Sequence, residues 1–489
     1  MLSEDVLYLP IRDLARRIRA RSLSPLALTE SYLARCDALA PRLNAFVTIT
    51  RDLALAQARR TEREIAAGHY RGPLHGIPYA AKDLLAVKGY PTTWGARPFA
   101  QQTFPENAAV IDRLERAGAV LLGKAAMIEL AGGLGYTGPY ASLTGPCRNP
   151  WNTNDWTCGS SSGSGAIVSA ALAAFALGSD TRGSIICPTS WCGISGMRPS
   201  FGRVSRRGVM TIAWSMDKIG PMARSADCCG LVLAAIAGHD AGDFDSLPAA
   251  QAAFPMPSPR AAARLRVARL TNVFPNAAPE MHAAVDRALA IMEKHGAEVH
   301  DAALPDGPFE EAAELVILIE AATAFSGLID SGRCAQLEDP LGQINGYASR
   351  QFSAHDLLHV QRVRTVLQRR IDALFDRFDV LAAPGEGGTT SPIGPPPEAA
   401  HAQAPPPAAR RRSGPARRHY QHDSRQPDAI SSLIGLPAIS VPAGLSAAHL
   451  PIGVQFMGRA LRDDHVVAAA QLLQRHSDWH RHRPPLTAG

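Results

Sequence analysis

The stretch from Cys158 to Ser184 constrains this 489-residue chain more than any other part. It opens with Cys158-Gly-Ser-Ser-Ser-Gly-Ser-Gly and closes with Asp180-Thr-Arg-Gly-Ser184. Between the two polar turns lies Ala166 to Gly178, a run of small and apolar residues that predicts one buried helix. Bare backbone N–H groups at a glycine-rich helix start can point at a negative oxygen. A flexible linker has similar composition. It does not bracket an apolar segment and repeat the same chemistry beyond it, so the stretch reads as a reaction centre.

A chain of this length, 46% hydrophobic and 19% charged, can bury a large core. Met1 to Pro10 has no basic start followed by an apolar run, and no uncharged apolar run is long enough to span a bilayer. The expectation is a cytoplasmic protein with no membrane association. The eight cysteines show no paired metal-ligand spacing, which predicts free, buried thiols. His476, His480 and His482 suggest a solvated tail rather than a metal site. Five arginines between Arg410 and Arg418 account for most of the formal charge of +6, so the basic excess is local, is no evidence for a nucleic-acid-binding face, and no nucleic-acid partner is expected.

Ser24-Pro25 predicts a capped helix start, followed by Leu28, Tyr32, Cys36 and Leu39 on one face. Residues 1–66 are expected to form a helical portion packed on a main domain of residues 67–489. Later segments alternate. Helix Ala108–Ala117 precedes strand Ala119–Gly123. Strand Leu265–Leu270 precedes helix Met281–His295, and helix Val363–Phe378 precedes strand Asp379–Ala383. Leu436–Pro442 and Ile452–Met457 read as further strands, and His465–Arg475 as a last helix. Such alternation implies an α/β fold. Residues 394–426, rich in proline and arginine, are expected to be irregular.

A serine nucleophile needs a base, and no histidine accompanies this stretch. Lys82 stands among Ile77, Leu84 and Leu85. To act as base it must be neutral, which means lowering its pKa from about 10.4 toward about 7–8, a difference of about 4 kcal/mol. Burial can supply that. Taken alone, the same lysine reads first as a surface residue whose stem snorkels. Gly159-Ser-Ser161-Ser-Gly163 also fits the nucleophile elbow of α/β-hydrolases, but that elbow follows a buried strand, and Asn149 to Thr157 is polar.

Several segments together resemble the amidase signature family of serine hydrolases. They are Gly76-Ile-Pro-Tyr-Ala-Ala-Lys82-Asp83, Gly159-Ser160-Ser161, Asp180-Thr-Arg-Gly-Ser184 and Cys192-Gly-Ile-Ser-Gly-Met-Arg-Pro. Gly202-Arg-Val-Ser205, Asp217-Lys-Ile-Gly-Pro221, Phe378-Asp-Val-Leu381 and Gly435-Leu-Pro-Ala-Ile-Ser-Val-Pro442 continue the likeness in order. The resemblance implies an amidase-signature α/β fold, a large mixed β-sheet flanked by helices on both faces. It implies Ser184 as nucleophile, Ser160 as a bridging serine on a cis peptide bond, and Lys82 as base. Backbone N–H groups of Thr181, Arg182, Gly183 and Ser184 would form the oxyanion hole. The implied partner is a small amide substrate, with no metal or organic cofactor and with a homodimer left open.

Four positions depart from the family pattern. Cys158 and Ser162 replace glycines, Arg182 stands where a small residue is usual, and Ile186 replaces an arginine. Two further readings follow. One is the amidase-type subunit of a tRNA-dependent amidotransferase, although its glutamine-holding acid corresponds to Arg425 here. The other is a catalytically impaired homologue that binds ligand without turnover.

Overall fold

The alternating segments build one sheet in a computed structural model that describes residues 2–258, 264–395 and 426–486. In chain order the first strands are β1 (Phe46–Ile49), β2 (Pro78–Lys82) and β3 (Val120–Ala125). A separate two-stranded ribbon follows, β4 (Arg148–Asn149) with β5 (Asn152–Trp156). The sheet resumes with β6 (Phe175–Asp180), β7 (Ser195–Arg198), β8 (Lys218–Ala223), β9 (Arg266–Leu270) and β10 (Glu298–Ala302). β11 (Val380–Pro384), β12 (Ala438–Leu445) and β13 (Pro451–Gly458) complete it. The eleven sheet strands run in the order β1-β3-β2-β6-β8-β7-β12-β13-β11-β9-β10, with parallel and antiparallel neighbours mixed. Every residue of β2, β3, β6, β7, β8, β11 and β13 is buried, as expected of strands covered on both faces.

Seven helices matter below: α1 (Pro25–Leu43), α2 (Ser162–Ser169), α3 (Ile186–Cys192), α4 (Ala226–Ile236), α5 (Phe309–Ala324), α6 (Pro427–Leu433) and α7 (Asp463–Arg475). At the start of α1 the Ser24 hydroxyl accepts from Ala27 N–H at 3.0 Å, and Leu28, Tyr32, Cys36 and Leu39 are buried. The first 66 residues are not purely helical, because β1 pairs with β3 at the edge of the main sheet. The irregular segment expected at 394–426 lies almost wholly outside the described residues, as does Arg425.

The apolar run Ala166–Gly178 is not one helix. α2 ends at Ser169, Ala171 takes a left-handed φ of 50°, and Phe175 begins β6. An all-apolar segment carries no periodicity to separate a buried helix from a buried strand, so pattern does not reveal the break. The consequence for function is direct: the second polar turn follows a strand end, not a helix end.

Candidate active site

β2 and β6 are parallel neighbours, and their carboxyl ends carry Lys82 and Ser179-Asp180 respectively. This is where open α/β sheets place ligands. Register is held by Tyr79 opposite Phe175, whose rings stack with centroids 5.1 Å apart. Slipping by one residue would turn Lys82 to the other face of the sheet. Ser160 and Ser161 sit in the turn before α2, with a cis peptide between Gly159 and Ser160. Ser161 N–H donates to the Ser184 carbonyl at 3.3 Å, which joins the two polar turns backbone to backbone. Ser184 is half-buried, whereas Ser160 and Lys82 are buried.

Lys82 Nζ lies 2.7 Å from Ser160 Oγ, 3.0 Å from Ser161 Oγ and 2.9 Å from Ser179 Oγ. Ser161 Oγ has its own proton committed, donating to the Ser179 carbonyl at 3.1 Å while accepting from Ser179 N–H at 3.3 Å. A neutral amine has two protons and one lone pair. If those protons go to Ser161 and Ser179, the lone pair is left for the hydroxyl proton of Ser160, the nearest of the three. Burial pushes the Lys82 pKa down to about 7, against the opposing pull of Asp180 and Asp217. Near neutral pH a large share of the amine is therefore unprotonated. Ser161→Ala removes one of the acceptors that orient Nζ. It is expected to lower kcat about 5- to 10-fold, the worth of one hydrogen bond, with KM unchanged in steady-state assays. An elbow nucleophile would be lost outright.

Asp180 organises the second turn. Its Oδ1 accepts from Gly183 N–H at 2.9 Å and its Oδ2 from Ile185 N–H at 2.7 Å. Arg198 Nη1 donates to Oδ1 at 3.1 Å. Burial alone would raise the Asp180 pKa. Arg198 and the two N–H groups outweigh it and hold the carboxyl below its usual range. Gly183 has φ +90°, and a Cβ there would meet Asp428 Oδ2 at 3.2 Å, so the position demands glycine. The Gly183 N–H, expected among the oxyanion donors, is thus engaged by Asp180. Thr181 is held from the other side, with Oγ1 donating to Asp217 at 2.5 Å.

Two departures from the family pattern find structural partners. Arg182 pairs with Glu314 on α5 at 2.9 Å and contacts Gln426 Oε1, just before α6, at 3.4 Å. Cys158 and Cys187 are not free thiols but form a disulfide that ties the turn before Ser160 to α3, just beyond Ser184. Pairing across 29 residues has no spacing signature, because it depends on the two turns folding onto each other. The remaining six cysteines are free and buried. Ser161, Ser179, Asp180, Arg198 and Asp428 complete the site without a role assigned to them from sequence. Only Asp180 and Arg198 carry a signal there, as charged residues inside otherwise small and apolar motifs. Among the described residues no three His, Cys, Asp or Glu side chains converge to hold a metal ion, and no helix is long and apolar enough to cross a membrane.

The family model for Amidase matches residues 27–467. The chain belongs to the amidase family. A glutamyl-tRNA(Gln) amidotransferase subunit from Moorella thermoacetica is 33% identical over 512 residues, covering 99% of both chains. Native peptide amidase from Stenotrophomonas maltophilia is 29% identical, with a TM-score of 0.80 and 98% of each chain covered. A protein from a vestigial complex, tied to the evolutionary origins of an s-triazine catabolic enzyme, is 30% identical. Its TM-score is 0.83, with 96% of this chain and 98% of that one covered. The mixed eleven-stranded sheet flanked by helices is accordingly the amidase-signature fold.

Proposed function

We propose that this amidase hydrolyses the C–N bond of a small carboxamide through an acyl-enzyme on Ser184. Ser184 Oγ attacks the carbonyl carbon and passes its proton to Ser160, which in turn gives its own to neutral Lys82. The tetrahedral oxyanion is stabilised by the backbone N–H groups of Thr181, Arg182 and Ser184, the Gly183 N–H being held by Asp180, and each donor of this kind is worth about 10²- to 10³-fold in rate. Collapse breaks the C–N bond, and the proton returns from Lys82 through Ser160 to the leaving amine or ammonia. Water then attacks the ester by the same relay and releases the carboxylate. The observation that carries this reading is the buried Lys82 amine 2.7 Å from Ser160 Oγ, where burial pushes its pKa down to about 7.

The test is labelling with a serine-reactive fluorophosphonate, combined with turnover of a panel of aliphatic, aryl and amino-acid amides and esters. Labelling of the folded protein is expected to disappear in Ser184→Ala together with all amide turnover. Folded protein that resists the probe, or turnover that survives Ser184→Ala, overturns the assignment.

The full-length likeness to amidotransferase subunits supports a second reading, in which the same site releases ammonia from glutamine within a complex. Glutaminase activity that appears only in the presence of partner subunits would favour it over independent amide hydrolysis.

A further inference from the structure

β6 and β8 run antiparallel, with Asp180 opposite Lys218 at one end and Phe175 opposite Ala223 at the other. Arg224 follows directly on that far end, about 20 Å from Asp180 by strand rise. There a cleft of about 980 Å³ opens between the N-terminal segment, the start of α4, the end of α7 and the C-terminal segment. Six arginines and three aspartates line it.

The aspartates are already matched. Asp227 takes Arg12 through both oxygens, Asp13 takes Arg16 at 2.9 Å, and Asp5 takes Arg483 at 2.7 Å. Arg224 has no carboxylate partner among the described residues, although it is only 8% exposed. Its Nη1 donates to the Val168 carbonyl at 3.3 Å, and its guanidinium lies 4.2 Å from the Tyr8 ring centroid. Arg483 lies 4.4 Å from the same centroid, so two like charges share one ring. Arg481 also lines the cleft and makes no ion pair among the described residues. The buried Nδ1 of His480, on the same wall, has no hydrogen-bond partner among the described residues. Burial, Arg481 and Arg224 push the His480 pKa down to about 4, as expected where positive charge is in excess. A buried guanidinium normally has a carboxylate or phosphate against its fork.

The geometry points to this cleft as a second binding site, taking a small multivalent oxyanion between Arg224, Arg481 and His480. Phosphate-bearing and polycarboxylate ligands share the required chemistry. The test is isothermal titration of the full chain with inorganic pyrophosphate and with citrate, each at fixed ionic strength against a chloride control. Saturable one-to-one binding of at least one anion is expected. Arg481→Gln should weaken it about tenfold or more, as loss of a charged hydrogen bond does, while amide turnover shows that the variant is folded. Arg224→Met should abolish binding. Because Arg224 is buried, Arg481→Gln carries the test if Arg224→Met does not fold. Tighter pyrophosphate assigns a phosphate-bearing ligand, and tighter citrate a polycarboxylate. Heats no larger than chloride for both anions, or undiminished affinity in Arg481→Gln, overturn the proposal.

Discussion

Lys82→Ala is expected to lower kcat/KM for amide hydrolysis by about 10²- to 10⁴-fold, the usual worth of a positioned general base. The pH dependence separates this from a general structural loss. Only the neutral amine can accept the Ser160 proton, and the folded Lys82 titrates at about 7. Wild-type kcat/KM should therefore fall tenfold for each pH step below about 7 and level off above it. In Lys82→Ala that inflection should vanish. Lys82→Met guards against misfolding as an explanation. Because the folded lysine pKa is depressed, the unfolded chain takes the proton more readily, and the wild-type lysine costs stability at neutral pH. Lys82→Met should then be at least as stable as wild type in denaturant titrations, yet inactive. An unchanged rate in either variant, or an inflection that persists without the amine, would sink the relay.

The second large effect is expected at Arg198. Its side chain is fully buried and serves Asp180, Asp428 and the Ser431 hydroxyl together. Removing one partner of a buried ion pair costs about 3–5 kcal/mol, because the other charge stays behind uncompensated. Arg198→Met should show that loss as a lowered denaturation midpoint. It should also lose amide turnover, since Asp180 would no longer hold the turn from Gly183 to Ile185. The pH dependence again discriminates. In wild type, Asp180 is held below its ordinary value, so its contribution is present above about pH 4 and is lost on acidification. In Arg198→Met burial acts unopposed by Arg198 and raises the Asp180 pKa. A raised carboxyl favours the folded state at low pH and loses that advantage as pH rises. The variant should therefore recover stability on acidification from about pH 7 to about 5, where wild type gains nothing from this group. A variant with parallel pH dependence would show that Arg198 does not serve Asp180.

Lys82, Ser160 and Ser184 are proposed from the sequence through the resemblance of their motifs to the amidase signature family, since residue pattern alone leaves Lys82 open as a surface lysine and does not set Ser160 apart from the serines beside it. The capped start of α1 and the helix–strand alternation are legible because local physics sets them: a serine oxygen meets orphan N–H groups, and apolar residues recur at helical spacing. The split of Ala166–Gly178 is not legible, since an all-apolar run looks alike as helix or strand. This bears on the site as well, because β6 is the element that delivers Ser179 and Asp180 beside Lys82.

The sequence by itself determined the family, the candidate reacting groups and the alternation that makes an α/β sheet. These depend on residue identity and near-neighbour spacing. Only the tertiary structure decided that Lys82 is buried deeply enough to titrate at about 7, that Asp180 and Arg198 brace the second turn, and that Cys158 meets Cys187. Apart from the short-range bonds of Asp180 to its own turn, those properties come from desolvation and from contacts between residues 18 to nearly 100 positions apart. No local pattern encodes them. The stretch from Cys158 to Ser184 is thus two turns held face to face, by Ser161 N–H on the Ser184 carbonyl and by a disulfide, with the Lys82 amine set between three serines.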